Sequence, residues 1–81
     1  MRVNVQFFSQ LCELAGASEL ALDLPDGAAV ADLLRQLYER IPALGKWDNN
    51  ILVGAGVDFV GREYLLQPNE QIAIMPPVQG G

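Results

Sequence analysis

Apolar residues recur along this chain with two different periods, and the switches between them mark its elements. From Arg2 to Phe8 the period is two: Val3, Val5 and Phe7 share one face, and Arg2, Asn4, Gln6 and Phe8 the other. β-Branched and aromatic residues in that alternation predict a strand. Ser9 then offers an N-cap hydroxyl, Leu11, Leu14 and Ala15 follow at helical spacing, and Gly16 suits the residue just past a helix end. This predicts a short helix of about two turns. Period two returns from Ser18 to Leu24, with Leu20, Leu22 and Leu24 on one face, before the turn residues Pro25-Asp26-Gly27. Val30, Leu33, Leu34, Leu37, Tyr38 and Ile41 then form one apolar stripe at helical spacing, and Pro42 ends it. Residues 45–50 read as a loop with Trp47 half-buried, and 51–55 as a short buried strand. Residues 58–61 read as a turn, 63–66 as a very short strand, 68–70 as another turn and 71–75 as a last strand with Ile72 and Ile74 inward.

One amphipathic helix needs one sheet face to cover its stripe. The matched inward sets of the first strand (Val3, Val5, Phe7) and the last (Ile72, Ile74) make those two strands the expected central neighbours. The predicted fold is α+β: a mixed sheet of about five strands with one main helix and one short helix, the β-grasp or ubiquitin-like arrangement. The expected division is a domain over residues 1–75 and an extended tail over 76–81.

The tail, Pro76-Pro77-Val78-Gln79-Gly80-Gly81, carries the candidate chemistry. Proline fixes φ and biases the residue before it towards extended backbone, so the segment is expected to leave the sheet as a stiff stalk. Six extended residues reach about 20 Å, enough to enter another protein's active site. Glycine at the tip has no Cβ to obstruct a narrow channel. The carboxylate of Gly81 is a poor electrophile and needs activation, typically adenylation by ATP on a partner enzyme. The acyl adenylate can then accept sulfur or be captured by an enzyme cysteine.

Composition narrows the alternatives. The chain has 81 residues, a formal net charge of −5, no histidine and one cysteine. A lone cysteine makes no internal disulfide, and the side chains for a Cys- or His-based metal site are missing. No metal and no resident cofactor are therefore expected, and the commonest general base is absent. The acidic balance disfavours nucleic acid as a partner. No apolar run reaches the roughly 18–20 residues of a membrane span, and the N-terminal residues alternate where a signal peptide would be apolar. A cytoplasmic location is expected. Cys12 reads as a small apolar residue of a short helix. Phe8 and Met75 fall on strand faces opposite the inward sets, and with Phe59 they are candidates for an exposed docking patch.

The sequence resembles the small subunits of molybdopterin synthase, the sulfur carriers of molybdenum cofactor biosynthesis. The matching residues are Val5-Gln6-Phe7-Phe8, Leu11-Cys12-Glu13-Leu14-Ala15-Gly16, Leu33-Leu34, the run from Leu66 to Ile74, and above all Pro76-Pro77-Val78-Gln79-Gly80-Gly81. The resemblance covers the whole chain. It implies that the Gly81 carboxylate is adenylated by a ubiquitin-activating-like adenylyltransferase using ATP and becomes a thiocarboxylate. It further implies that the large subunit, in a heterotetramer, uses this sulfur for the dithiolene of molybdopterin, and that Phe8, Phe59 and Met75 contact that subunit. The alternatives are another β-grasp sulfur carrier of thiamine type, a ubiquitin-like modifier, or an interaction module without chemistry. The family commonly places Thr before the main helix, where this chain has Ala29. Restoring that hydroxyl is expected to stabilise the domain by about 1 kcal/mol unless another group already caps the helix.

Overall fold

In the computed structural model, residues 1–77 are described. Strand β1 (Arg2–Phe7) is followed by helix α1 (Gln10–Ala15), strand β2 (Glu19–Asp23) and the main helix α2 (Val30–Arg40). A short helix α3 (Pro42–Gly45), a single 3₁₀ turn at Asp48–Asn50, and strands β3 (Leu52–Ala55), β4 (Asp58–Phe59) and β5 (Gln71–Met75) complete it. The strands form one five-stranded sheet in the order β2-β1-β5-β3-β4.

β1 and β5 are parallel central neighbours, with Val5 opposite Ile72 and Phe7 opposite Ile74, as their matched faces predict. All other pairings are antiparallel. α2 lies across one face of the sheet, and its Val30, Leu33, Leu34 and Leu37 are buried. They pack in one core with Val3, Val5 and Phe7 of β1, Leu22 of β2, Val53 of β3, and Ile72 and Ile74 of β5. Fully burying each such aliphatic side chain stabilises the fold by about 1.5–3 kcal/mol relative to leaving it in water. Leu11 and Leu44 close the end of the core under α1 and α3. Trp47 is half-buried at its margin, as expected.

Four expectations are corrected. The fifth strand is Asp58–Phe59 and not 63–66: both of its residues are exposed, so no burial pattern announces it. The 63–66 segment contributes one bridge, Leu65 to Ala29, at the start of α2. Pro42 does end α2, but it also opens α3, because a proline in the first turn of a helix sacrifices no needed N–H. Ser9 does not cap α1. It adopts a positive φ of 53° without a side-chain bond, and the first N–H groups of α1 use the carbonyls of Phe8 and Ser9. In α1 only Leu11 is buried, while Leu14 faces solvent. Gly16 takes the left-handed conformation past the helix end that its lack of a Cβ permits.

The start of α2 explains how the chain does without a capping hydroxyl. The N–H of Val30 donates to the Tyr64 carbonyl at 2.9 Å and that of Ala31 to the Arg62 carbonyl at 2.9 Å. The Asp32 and Leu33 amides use the Ala29 carbonyl, at 3.0 and 3.2 Å. The Ala29 N–H donates to the Asp32 carboxylate at 2.9 Å, which holds Asp32 below the usual carboxylate range. The donors a helix N-terminus leaves orphaned are thus already paired. The expected gain from a hydroxyl at position 29 is therefore withdrawn. Ala29→Thr should leave the melting temperature essentially unchanged, whereas Asp32→Ala should lower it. Asp32's depressed pKa makes its contribution present above about pH 4 and lost as pH falls through the lower, folded-state value. Thermal denaturation at pH 7 and pH 3 checks both: the difference between wild type and Asp32→Ala should shrink at the acid pH.

Candidate functional site

The face of the sheet away from α2 has no helix over it, and its chemistry changes from one edge to the other. The row of opposed residues Glu19, Gln6, Ala73, Gly54 and Phe59 crosses all five strands. Over β2 and β1 this face is polar, and side-chain bonds tie it together: Gln6 to Glu19 at 3.1 Å and Arg2 to Asp23 at 3.4 Å. Over β3 and β4, and over β5 from Ala73 to Met75, it is apolar, with Gln71 polar at the start of β5. The Met75 Cε stands 3.2 Å from where a Cβ at Gly54 would lie, so this side chain covers the glycine. Ala73 is also small, so Met75 rests on a shallow floor beside Phe59, which is 67 % exposed because the glycine opposite it offers no cover.

Phe8 joins this patch from the other side. Its N–H donates to the Ile74 carbonyl at 3.1 Å, which carries the parallel β1–β5 pairing one residue beyond β1. Phe7 faces the core and Phe8 the opposite side, 44 % exposed. Phe8 and Met75 therefore stand at neighbouring register positions at one end of the two central strands. All three predicted docking residues lie on the apolar half of one face, together with half-buried Leu52, which periodicity alone did not single out. Strand parity marks Leu52 only once its antiparallel register with Met75 is known.

The chain leaves β5 at this same end. Pro76 and Pro77 follow Met75 and are half-buried. Val78, Gln79, Gly80 and Gly81, to which the tail chemistry was assigned, lie outside the described residues. Cys12 is half-buried against the core, in the manner of a small apolar side chain. Among the described residues no group of acidic, histidine or cysteine side chains could hold a metal ion. No helix among them is long and apolar enough to cross a membrane.

Away from the patch, one polar cluster braces the loops behind β3. The Tyr38 hydroxyl of α2 donates to Asp48 Oδ1 at 2.6 Å, and Arg62 donates to the same oxygen at 2.7 Å and to the Asp48 carbonyl at 2.6 Å. These bonds hold the Asp48 carboxylate low, and burial with the Asp48 bond raises Tyr38 well above the usual tyrosine range. The Glu70 carboxylate likewise accepts the Tyr64 hydroxyl at 2.5 Å and raises Tyr64.

The profile of the ThiS family matches residues 5–81. The chain belongs to the ThiS family. A molybdopterin synthase sulfur carrier subunit from Chlamydomonas reinhardtii is 31 % identical over 83 aligned positions, and the match covers 100 % of both chains. Among ThiS-like folds, the solution structure of the small archaeal modifier protein 1 from Methanosarcina acetivorans superposes with a TM-score of 0.82 at 31 % identity, covering 99 % of this chain and 96 % of that one. A complex of subunits 1 and 2 of molybdopterin-converting factor from Helicobacter pylori 26695 contains a chain with the same fold. Its TM-score is 0.70 at 21 % identity, with 100 % of both chains covered. The ubiquitin-like β-grasp architecture expected from the hydrophobic pattern is thus the architecture of this family.

Both tyrosines of this ThiS-family chain have raised pKa values. Alkaline titration followed by ultraviolet absorbance should place both above the usual value of about 10, and Tyr38→Phe should remove the later step. The unfolded chain releases these protons first, so stability should fall as pH rises above about 10.

Proposed function

We propose that this chain is the sulfur-carrier subunit of a molybdopterin synthase. The observation that carries the reading is the full-length match to such carriers, running through the last residue, Gly81. In the proposed cycle, an adenylyltransferase of ubiquitin-activating type binds the body and receives the tail. The Gly81 carboxylate attacks the α-phosphorus of ATP, pyrophosphate leaves, and an acyl adenylate forms. Hydrosulfide then attacks the acyl carbon, the acyl–phosphate bond breaks and AMP departs, leaving a thiocarboxylate. Pro76, Pro77, Val78 and Gln79 form the approach, and Gly80 gives access where a side chain would obstruct. The thiocarboxylate is delivered to the large subunit, which assembles the dithiolene of molybdopterin. ATP belongs to the adenylating partner, and this chain supplies no metal or cofactor of its own.

The apolar half of the helix-free face supports a docking role. Phe8 and Met75 sit where the chain turns into its tail and Phe59 lies across β3 on the same face, so a partner that covers them also receives the residues that follow. The H. pylori complex pairs subunits 1 and 2 of a molybdopterin-converting factor, and that pairing supports a large-subunit partner here. A second reading, a protein modifier, is favoured by the likeness to the M. acetivorans modifier at 31 % identity. The two diverge after activation, since a carrier accepts sulfur at Gly81 and a modifier forms an amide with a lysine.

Two experiments test this. Incubation with an adenylating partner, ATP and a sulfur donor should replace one oxygen of the chain by sulfur, read by intact mass. Deleting Gly81 should abolish the change and Cys12→Ser should leave it intact. A chain whose mass never changes is not a carrier. Separately, Phe8→Glu combined with Met75→Glu should leave cooperative unfolding in place, because neither side chain belongs to the core. It should abolish the complex with the large subunit in size-exclusion chromatography, and persistence of the complex would count against this face.

A further inference from the structure

We infer that the tip of the β3–β4 hairpin is a second anchor on the large subunit, with Val57 as its contact residue. The inference rests on the carrier reading above. It starts from a residue whose presence the fold itself does not explain. Ala55 pairs with Asp58, so the hairpin turns through only two residues, Gly56 and Val57. Gly56 has a φ of +65° and Val57 does not share that sign, which matches a turn with glycine at its first central position. Such turns favour Asn, Asp or Ser beside the glycine, residues that hydrogen-bond locally and are well solvated. A β-branched valine gains none of this. Here it is 100 % exposed and packs against nothing among the described residues.

The tip continues the docking patch. Phe59 stands two residues further on, and its opposite number, Gly54, lies under Met75. Leu52 pairs with Met75 and Ala55 with Ile72, so the tip lies at the end of β3 away from the tail root, and exposed apolar side chains cross the face diagonally from Phe8 and Met75 through Phe59 to Val57. The tip is also held in place: two opposed residue pairs and the bond from the Val60 N–H to the Val53 carbonyl at 2.9 Å fix the hairpin register. A preformed turn loses little conformational freedom on binding, so the burial of its side chain is reflected in affinity. The occupant that fits is an apolar recess on the large subunit, beyond the surface that receives Phe59 and on the far side of it from Phe8 and Met75.

The test is titration calorimetry of the purified large subunit with the wild-type chain and two variants. Val57→Asn should weaken binding by about tenfold or more, the loss expected when a valine is no longer buried. The melting temperature of the free Val57→Asn chain should stay equal or rise, because Gly-Asn is the better turn. Val57→Ile should bind within about twofold of wild type. Wild-type affinity in Val57→Asn would overturn the anchor while leaving the carrier reading intact, and so would equal losses in both variants. A wild-type chain that does not bind the large subunit at all would overturn both.

Discussion

The parallel pairing of β1 with β5 is the constraint on which the rest of the structure depends. It joins the first strand to the last, so nearly the whole chain forms the connection between two central neighbours. Such a connection carries a large closure entropy, offset here by the concentration of fully buried Val, Phe and Ile side chains on these two strands and by the stripe of α2 laid over them. β2 and β3 then add on either side through antiparallel edges, and β4 through β3. The same pairing has a functional consequence. Parallel strands end on the same side, so Phe8 and the root of the tail emerge together. The tail grows out of one of the most securely buried strands and not from a frayed edge.

This pairing also separates the duties of the two sheet faces. The inner face is uniformly apolar because α2 needs a continuous partner. The outer face has no helix to cover, and its residues divide mainly by strand: charged and amide side chains over most of β2 and β1, and apolar ones over β3, β4 and the Ala73–Met75 part of β5. A face of this kind on a free chain exposes apolar surface that a partner can cover. Gly54 and Ala73 keep the floor low, so Met75 lies flat and Phe59 stands proud. A side chain at position 54 would contest the space that the Met75 Cε occupies.

Sequence patterning revealed the elements whose residues bury on one side. β1, α2 and β5 carry strict periods because each has one core face, and the parity of β1 and β5 assigned Phe8 and Met75 to the outer face. β4 carries no such signal: it is two residues long and exposed, and it exists because the Gly56-Val57 turn returns the chain alongside β3. The capping of α2 was equally illegible, since its donors are met by carbonyls of Arg62 and Tyr64, far along the chain. Only the loop's path brings them there, and no spacing of residue types encodes that path. Placing Phe59 with Phe8 and Met75 likewise depends on the registers of three strands. The resemblance of the chain to a known family supplied that grouping where periodicity did not.

The electrostatics of the body bear on where chemistry can occur. General acids and bases work best when their pKa values are drawn towards the operating pH. Here the resolved shifts run the other way. Asp32 and Asp48 are held ionised by N–H and O–H donors, Tyr38 is held neutral by burial and by its bond to Asp48, Tyr64 by its bond to Glu70, and Arg62 is held more firmly charged. Each shift is the signature of a bond that fixes one loop or helix end to another. The polar side chains are thereby committed to positioning α2, the 3₁₀ turn and the segment before β5. A body braced in this way holds the outer face and the end of β5 in fixed positions relative to α2.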